Sequence, residues 1–187
     1  MIQGRKILLG VCGSIAAYKA APLVRLLVKA GAEVQVILTP SAPAFVTPLT
    51  LGTLSKRPVL QGFVKDQAAG EWHNHVHLGL WADALLVAPA SANTLAHFAH
   101  GLCETLLDAV YLSARCPVLL APAMDLDMYQ HPATVRNLAA LRSFGNVVFD
   151  SPAGELASGL SGPGRMQEPE DIVAALERFF GQLKIEN

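Results

Sequence analysis

Cysteine is scarce in this chain. There are three, Cys12, Cys103 and Cys116, in 187 residues. An odd, widely spaced set gives neither a disulfide framework nor a zinc site. Charge of either sign is not in excess: 14 Lys and Arg stand against 15 Asp and Glu, for a net charge of −1. That balance excludes the basic footprint of a nucleic-acid partner. No apolar run reaches the length of a membrane span. The start, "MIQGRKILLG", passes from basic residues straight into a strand-like run with no cleavage pattern. A cytoplasmic protein is the expectation. Two phosphate motifs are also missing. Gly10 and Gly13 do not make G-x-G-x-x-G, and Lys19 has no G-K-[ST] setting.

What is present is apolar. Hydrophobic residues make up 52% of the chain. That points to strands covered on both faces or to a large subunit interface. Strand-like runs fall at 6–11, 33–38, 82–90, 116–123 and 146–150. Helical stretches fall at 14–31, 47–55, 93–102, 103–114, 132–145 and 169–183, with Pro22 arguing for a late start or a kink in the first. Alternation of this kind predicts an α/β fold, a doubly wound and mostly parallel sheet flanked by helices. One domain over 1–183 is expected, with 184–187 as a tail.

In such sheets ligands bind beyond the carboxyl ends of the strands. The loops there are "GVCGSIAAYK", "LTPSAPAF", "APASANT" and "APAMDLDMY". Gly13 and Ser14 lead into a helix start, where free N–H groups suit an anion. Ser91, Asn93 and Thr94 cluster at another, with Ser91 or Asn93 as the cap. Two such loops in one sheet favour a phosphate-bearing cofactor.

Two stretches stand apart. In "WHNHVHLGLWAD", His73, His75 and His77 alternate, so in a strand they would share one face. No Cys or carboxylate recurs at ligand spacing, so no metal is expected. "SPAGELASGLSGPGRM", at 151–166, holds Gly154, Gly159, Gly162 and Gly164 and closes on Arg165. It reads as a mobile loop that folds over a small anionic ligand, with Arg165 placed for anion recognition.

The segments "GSIAAYK", "HVHLGLWAD", "PASANT", "APAMDLDMY" and "GELASGLSGPGRM", in that order, resemble the homo-oligomeric flavin-containing cysteine decarboxylases. The match spans nearly the whole chain and is nearest the coenzyme A branch. It implies a Rossmann-like flavoprotein fold and FMN as cofactor, held by Gly13, Ser14, Ser41, Ser91, Asn93, Thr94 and Met124. It implies a trimer, alone or built into a dodecamer, with FMN at the subunit interface. A phosphopantothenate–cysteine ligase, fused or separate, is the implied partner. The implied reaction is decarboxylation of 4'-phospho-N-pantothenoylcysteine to 4'-phosphopantetheine. There the cysteine thiol is oxidised to a thioaldehyde, CO2 leaves, and the enethiol is reduced. His75 aligns with the active-site histidine, and 151–166 with the substrate clamp.

Two positions depart from the family pattern. Asp125 stands where the family carries the asparagine of P-A-M-N, which holds the substrate carboxylate, and Ser158 stands where the clamp carries a proton-donating cysteine. The resemblance therefore makes His75, Asp125 and Ser158 the catalytic candidates. Asp125, Gly154 and Arg165 are the candidates for holding substrate. A serine hydroxyl is a far weaker acid than a thiol, and Asp125, kept protonated, would replace it. Asp125 also reads as a plain helix cap. A non-catalytic flavoprotein and a decarboxylase of another cysteine-bearing substrate are the alternatives.

Overall fold

The computed structural model describes residues 2–183, so the expected tail at 184–187 lies outside the described residues. Nine strands and eight helices follow in order: β1 (Lys6–Val11), α1 (Ala20–Lys29), β2 (Glu33–Leu38), α2 (Pro48–Ser55), β3 (Val64–Asp66), β4 (Glu71–Trp72), α3 (His75–Trp81), β5 (Ala84–Ala90), α4 (Ala92–His100), α5 (Leu106–Ser113), β6 (Val118–Pro122), α6 (Leu126–Gln130), α7 (Pro132–Ser143), β7 (Val147–Val148), β8 (Ala153–Glu155), β9 (Ser161–Pro163) and α8 (Pro169–Leu183).

Five strands form one parallel sheet in the order β2-β1-β5-β6-β7. Its strands show no polar alternation because both faces are covered. Period-two geometry sorts their apolar residues into two cores. Ile7, Leu9, Val34, Val36, Leu86 and Leu119 face Leu23 and Leu27 of α1 and Ile172, Leu176 and Phe180 of α8. Leu8, Ile37, Leu85, Val87 and Leu120 face Leu95 and Phe98 of α4, Leu107 and Val110 of α5, and Leu138 and Leu141 of α7. Each fully buried leucine contributes about 1.5–3 kcal/mol relative to exposure. Gly10 serves this packing: a Cβ there would lie 2.8 Å from Leu107 Cδ1, so α5 could not approach β1 as closely.

Several local expectations are corrected. The helix foreseen over 14–31 opens as a 3-10 turn at Ile15–Lys19, and α1 follows with Pro22 in its first turn, where proline is tolerated. The histidine segment, whose alternation would give a shared face only in a strand, is mostly helical. Only Glu71–Trp72 is extended, and Asn74 caps α3 by accepting from Val76 N and His77 N. His75 and His77 therefore lie on helix α3, without the common strand face. The strand foreseen at 146–150 shrinks to Val147–Val148. The loop foreseen at 151–166 contains a β-hairpin, Ala153–Glu155 against Ser161–Pro163.

Candidate functional site

The strand order reverses between β1 and β5, because β1 leads outward to β2 and β5 leads the other way to β6 and β7. A crevice opens there beyond the carboxyl ends of the strands. Ser14 caps the turn after β1 by accepting from Ala16 N at 3.2 Å. Ser91 caps α4 after β5 by accepting from Thr94 N at 3.3 Å. The Gly13 and Ser14 N–H groups find no protein acceptor among the described residues. A Cβ on Gly13 would overlap Ser41 Oγ, so glycine is what lets the loop after β2 close against the loop after β1.

A cleft of 570 Å3 fills this crevice. Gly13, Ser14, Ser41, Ser91, Asn93, Thr94 and Met124 all line it. The fold thus brings together every residue the sequence put forward for cofactor binding. The hydroxyl of Thr39, also in this wall, is buried without a hydrogen-bond partner among the described residues. A buried hydroxyl without a partner is costly unless a ligand completes it. Two helix starts, an orphan hydroxyl and a glycine-closed loop suit the phosphate of a bound group. Sequence reasoning passed over Thr39, although it begins the T-P-S segment after β2.

The first cleft runs into a second of 580 Å3, and the two share Ser14, Ala123 and Met124. Tyr18, Lys19, Asp125, Glu155, Leu156, Ala157 and Arg165 complete the second wall. Two cations and two carboxylates therefore face one space. The buried Lys19 ammonium donates to Met166 O at 3.0 Å and to Glu168 Oε1 at 2.7 Å. That ties the end of the hairpin segment to the turn after β1. Lys19 was not among the sequence candidates, because its partner is nearly 150 positions away in the chain.

The hairpin β8–β9 supplies one side of the second cleft. Gly164, at φ +137°, lets Met124 N donate to Gly164 O at 3.0 Å, and a Cβ there would overlap Met124 O. Gly154 is where Arg165 crosses the hairpin: a Cβ would lie 2.6 Å from Arg165 Nη1. Gly154 thus acts by seating Arg165, which lines the cleft and pairs with Glu168 at 3.4 Å. Asp125 occupies the N-cap position of α6, but its side chain makes no capping hydrogen bond. The plain capping reading of Asp125 is therefore set aside. Ser158 lies at the exposed hairpin turn, accepting from Leu160 N at 3.4 Å, one residue beyond the lining residue Ala157.

His75 lines neither cleft. Its ring packs 5.7 Å from Trp72 and 6.4 Å from Phe63, with Nδ1 buried and unpartnered among the described residues. No group of His, Cys, Asp and Glu that could hold a metal ion occurs among the described residues. No described helix is long and apolar enough to cross a membrane.

A cysteine/cysteine sulfinic acid decarboxylase from an unknown prokaryotic organism is 56% identical over 140 residues, 75% of this chain and 39% of that protein. The coenzyme A biosynthesis bifunctional protein CoaBC of Vibrio vulnificus strain YJ016 is 46% identical over 179 residues, 96% of this chain and 44% of that protein. The chain thus spans less than half the length of these curated relatives. Among solved structures, a PPC decarboxylase mutant complexed with pantothenoylaminoethenethiol superposes with a TM-score of 0.84 at 33% identity, covering 96% of this chain and 100% of that one. The flavoprotein family model matches residues 1–181, which takes in the whole sheet, both clefts and the hairpin. The chain therefore belongs to the flavoprotein family.

Proposed function

We propose that this chain is a cytoplasmic FMN-dependent decarboxylase of a cysteine-bearing substrate, 4'-phospho-N-pantothenoylcysteine, which it converts to 4'-phosphopantetheine. The observation that carries this reading is the junction of the two clefts at Ser14, Ala123 and Met124. A bound cofactor and a bound substrate would meet there. The first cleft fits FMN: Gly13, Ser14 and Ser41, with Ser91, Asn93 and Thr94 at the start of α4, would hold it. When bound, FMN supplies the two-electron oxidant that turns a thiol into a group able to accept the electrons CO2 leaves behind.

The protein's own residues do the rest. Met124, which lines both clefts, would lie beside both ligands where they meet. Arg165 draws the anionic end of the substrate, and the hairpin shields the reacting end from water. Asp125 faces the substrate and holds or moves a proton beside it. Ser158 comes to the reacting end only when the hairpin closes. His75, packed under Trp72 away from both clefts, reaches a substrate only if a second copy brings it there. That supports a homo-oligomer, a trimer or a dodecamer, and the match to CoaBC supports a phosphopantothenate–cysteine ligase as partner.

The test is a spectrum followed by product mass. The protein should purify yellow or take up FMN. Given 4'-phospho-N-pantothenoylcysteine, it should then yield a product lighter by one CO2. FMN binding with no CO2 from any thiol substrate would make it a non-catalytic flavoprotein. A second reading, free cysteine as substrate, is favoured by one feature: Asp125 and Glu155 both face the second cleft. A carboxylate there suits the free α-ammonium of an amino acid better than an amide. CO2 released from cysteine faster than from the pantothenoyl substrate would select it.

A further inference from the structure

At the end of the first cleft, α4 and α5 set a histidine against a buried carboxylate. His97 Nδ1 lies 3.1 Å from Asp108 Oδ2. The same oxygen accepts from Glu104 N at 3.2 Å, Thr105 N at 2.8 Å and Thr105 Oγ1 at 2.9 Å. Asp108 is only 1% exposed, so bulk solvent does not compete for these bonds. Oδ2 is the acceptor in each of these three bonds, so in the fourth contact the donor is His97 Nδ1. The hydrogen on the ring therefore sits on Nδ1. His97 Nε2 has no protein partner among the described residues and is not sealed from solvent, so it stays open to the cleft that the ring lines.

The arrangement is rigid. Phe98 stacks on Tyr111 with centroids 3.9 Å apart and planes 4° apart, which locks α4 to α5 beside the pair. Thr105 caps α5 in a reciprocal box with Asp108, so the carboxylate cannot swing away. Asn93 and His97 are four residues apart on α4, one above the other on the face toward the cleft. A ligand that reaches Asn93 therefore lies within a turn of His97. Glu104 and Asp108 put two carboxylates at this end, which disfavours a phosphate there and leaves phosphate to the Gly13–Ser41 end.

We infer that His97, fixed in orientation and tautomer by Asp108, is a positioning residue that hydrogen-bonds through Nε2 to the flavin or ribityl part of the bound cofactor, not to its phosphate. The inference rests on the proposal that the first cleft holds FMN. A clamped imidazole offers one nitrogen at a fixed place, which a mobile side chain would not.

The experiment measures FMN and riboflavin binding by fluorescence quenching in the wild type, His97→Gln, His97→Leu and Asp108→Asn, with nitrogen-15 spectra of the imidazoles. In the flavin-free wild type, His97 should show its hydrogen on Nδ1. On FMN addition its Nε2 resonance should move, while that of the exposed His100 should not. His97→Leu should weaken FMN and riboflavin by the same factor, about tenfold, and His97→Gln should recover most of it. Asp108→Asn can place an amide hydrogen on Nδ1 and invert the tautomer. It should lower affinity as His97→Leu does, and His97→Leu, which keeps the α5 cap, separates that effect from any loss of fold. Wild-type affinity in His97→Leu with an unmoved Nε2 overturns the inference and leaves the flavin reading standing. Weakening of FMN but not riboflavin also overturns it, because the contact would then be to phosphate. A wild type that takes up no FMN overturns both.

Discussion

Cys12 shows how much one position is set by its surroundings. It directly follows β1 and is fully buried, and burial pushes its thiol up, outweighing the hydrogen bond to Thr94 Oγ1 at 3.2 Å that draws it down. The folded chain keeps this proton above about pH 8.5, where an unfolded thiol loses it. The native state then binds more protons than the unfolded one. Stability is full below that pH and falls above it, by up to about 1.4 kcal/mol per pH unit. Urea midpoints taken between about pH 7 and pH 10 should decline, and Cys12→Ala should flatten the decline. An unchanged slope would assign the alkaline loss to Cys116 and Tyr111, which burial also raises. Asp125 carries a second prediction. At about 4 Å, an ionised Asp125 would repel a substrate carboxylate by roughly 4 kcal/mol at an effective dielectric near 20. An ionised Asp125 predicts that Asp125→Asn lowers the KM for 4'-phospho-N-pantothenoylcysteine, by at most about a thousandfold at about 1.4 kcal/mol per tenfold, and raises that for free cysteine, whereas a proton-holding Asp125 predicts little change in either. Equal KM changes for both would leave Asp125 no part in choosing between them. Ser158, exposed and bonded only weakly to Leu160 N, should tolerate alanine with little change in CO2 release. Ser158→Cys should raise the share of fully reduced product, read by mass. An unchanged share would remove position 158 from the proton path.

Among the elements, the hairpin β8–β9 is held by few bonds and many close approaches. Gly162 meets Leu126 of α6, Gly164 meets the Met124 carbonyl, and Gly154 meets Arg165. A side chain at Gly164 would face both a φ of +137° and the Met124 oxygen, a strain of about 1–3 kcal/mol concentrated at the hinge. Gly164→Ala should leave sheet unfolding nearly unmoved and speed proteolysis at the hairpin turn about tenfold. Gly159, at φ +85° with nothing near its missing Cβ, is the control, and asparagine there should be accepted. Equal proteolysis of both variants would show that Gly164 does not hold the hairpin down. Asn74, by contrast, explains why the histidine segment winds up. Its side chain satisfies two free N–H groups at the start of α3, and a strand would have left that amide unused.

For the whole molecule, the informative surface is apolar. Trp72, Val76, Leu80 and Leu112 are all about half exposed, on and beside helices α3 and α5. A surface of this kind favours assembly, as does a candidate histidine that lines neither cleft. Light scattering should give a mass that is a multiple of the single chain. Leu80→Glu should yield monomers that still bind some FMN but release CO2 at least about tenfold more slowly. A wild-type monomer with full turnover would remove His75 from the reaction and the oligomer from the mechanism.

Much of this was written in the sequence. The apolar runs at 6–11, 33–38 and 82–90 pointed to buried strands, found at Lys6–Val11, Glu33–Leu38 and Ala84–Ala90, because a two-sided sheet buries nearly all of such a run. Helix starts at Ser14 and Ser91 were legible too, since capping is a contact between near neighbours. That Gly13, Ser14, Ser91, Asn93 and Thr94 would share one cleft was legible as well, because they follow strand ends and parallel topology gathers strand ends at one edge, while Ser41 and Met124 came from the family resemblance. Contacts between distant positions were not legible. Lys19 with Glu168, Arg165 over Gly154, and His97 on Asp108 depend on how helices dock, and docking is settled by side-chain packing summed over the whole fold. The place of His75 is the sharpest case. The alternation of the histidines left their setting open, whereas one capping asparagine and the fit of Gly79 against the Ser113 carbonyl made the segment a helix that lines neither cleft.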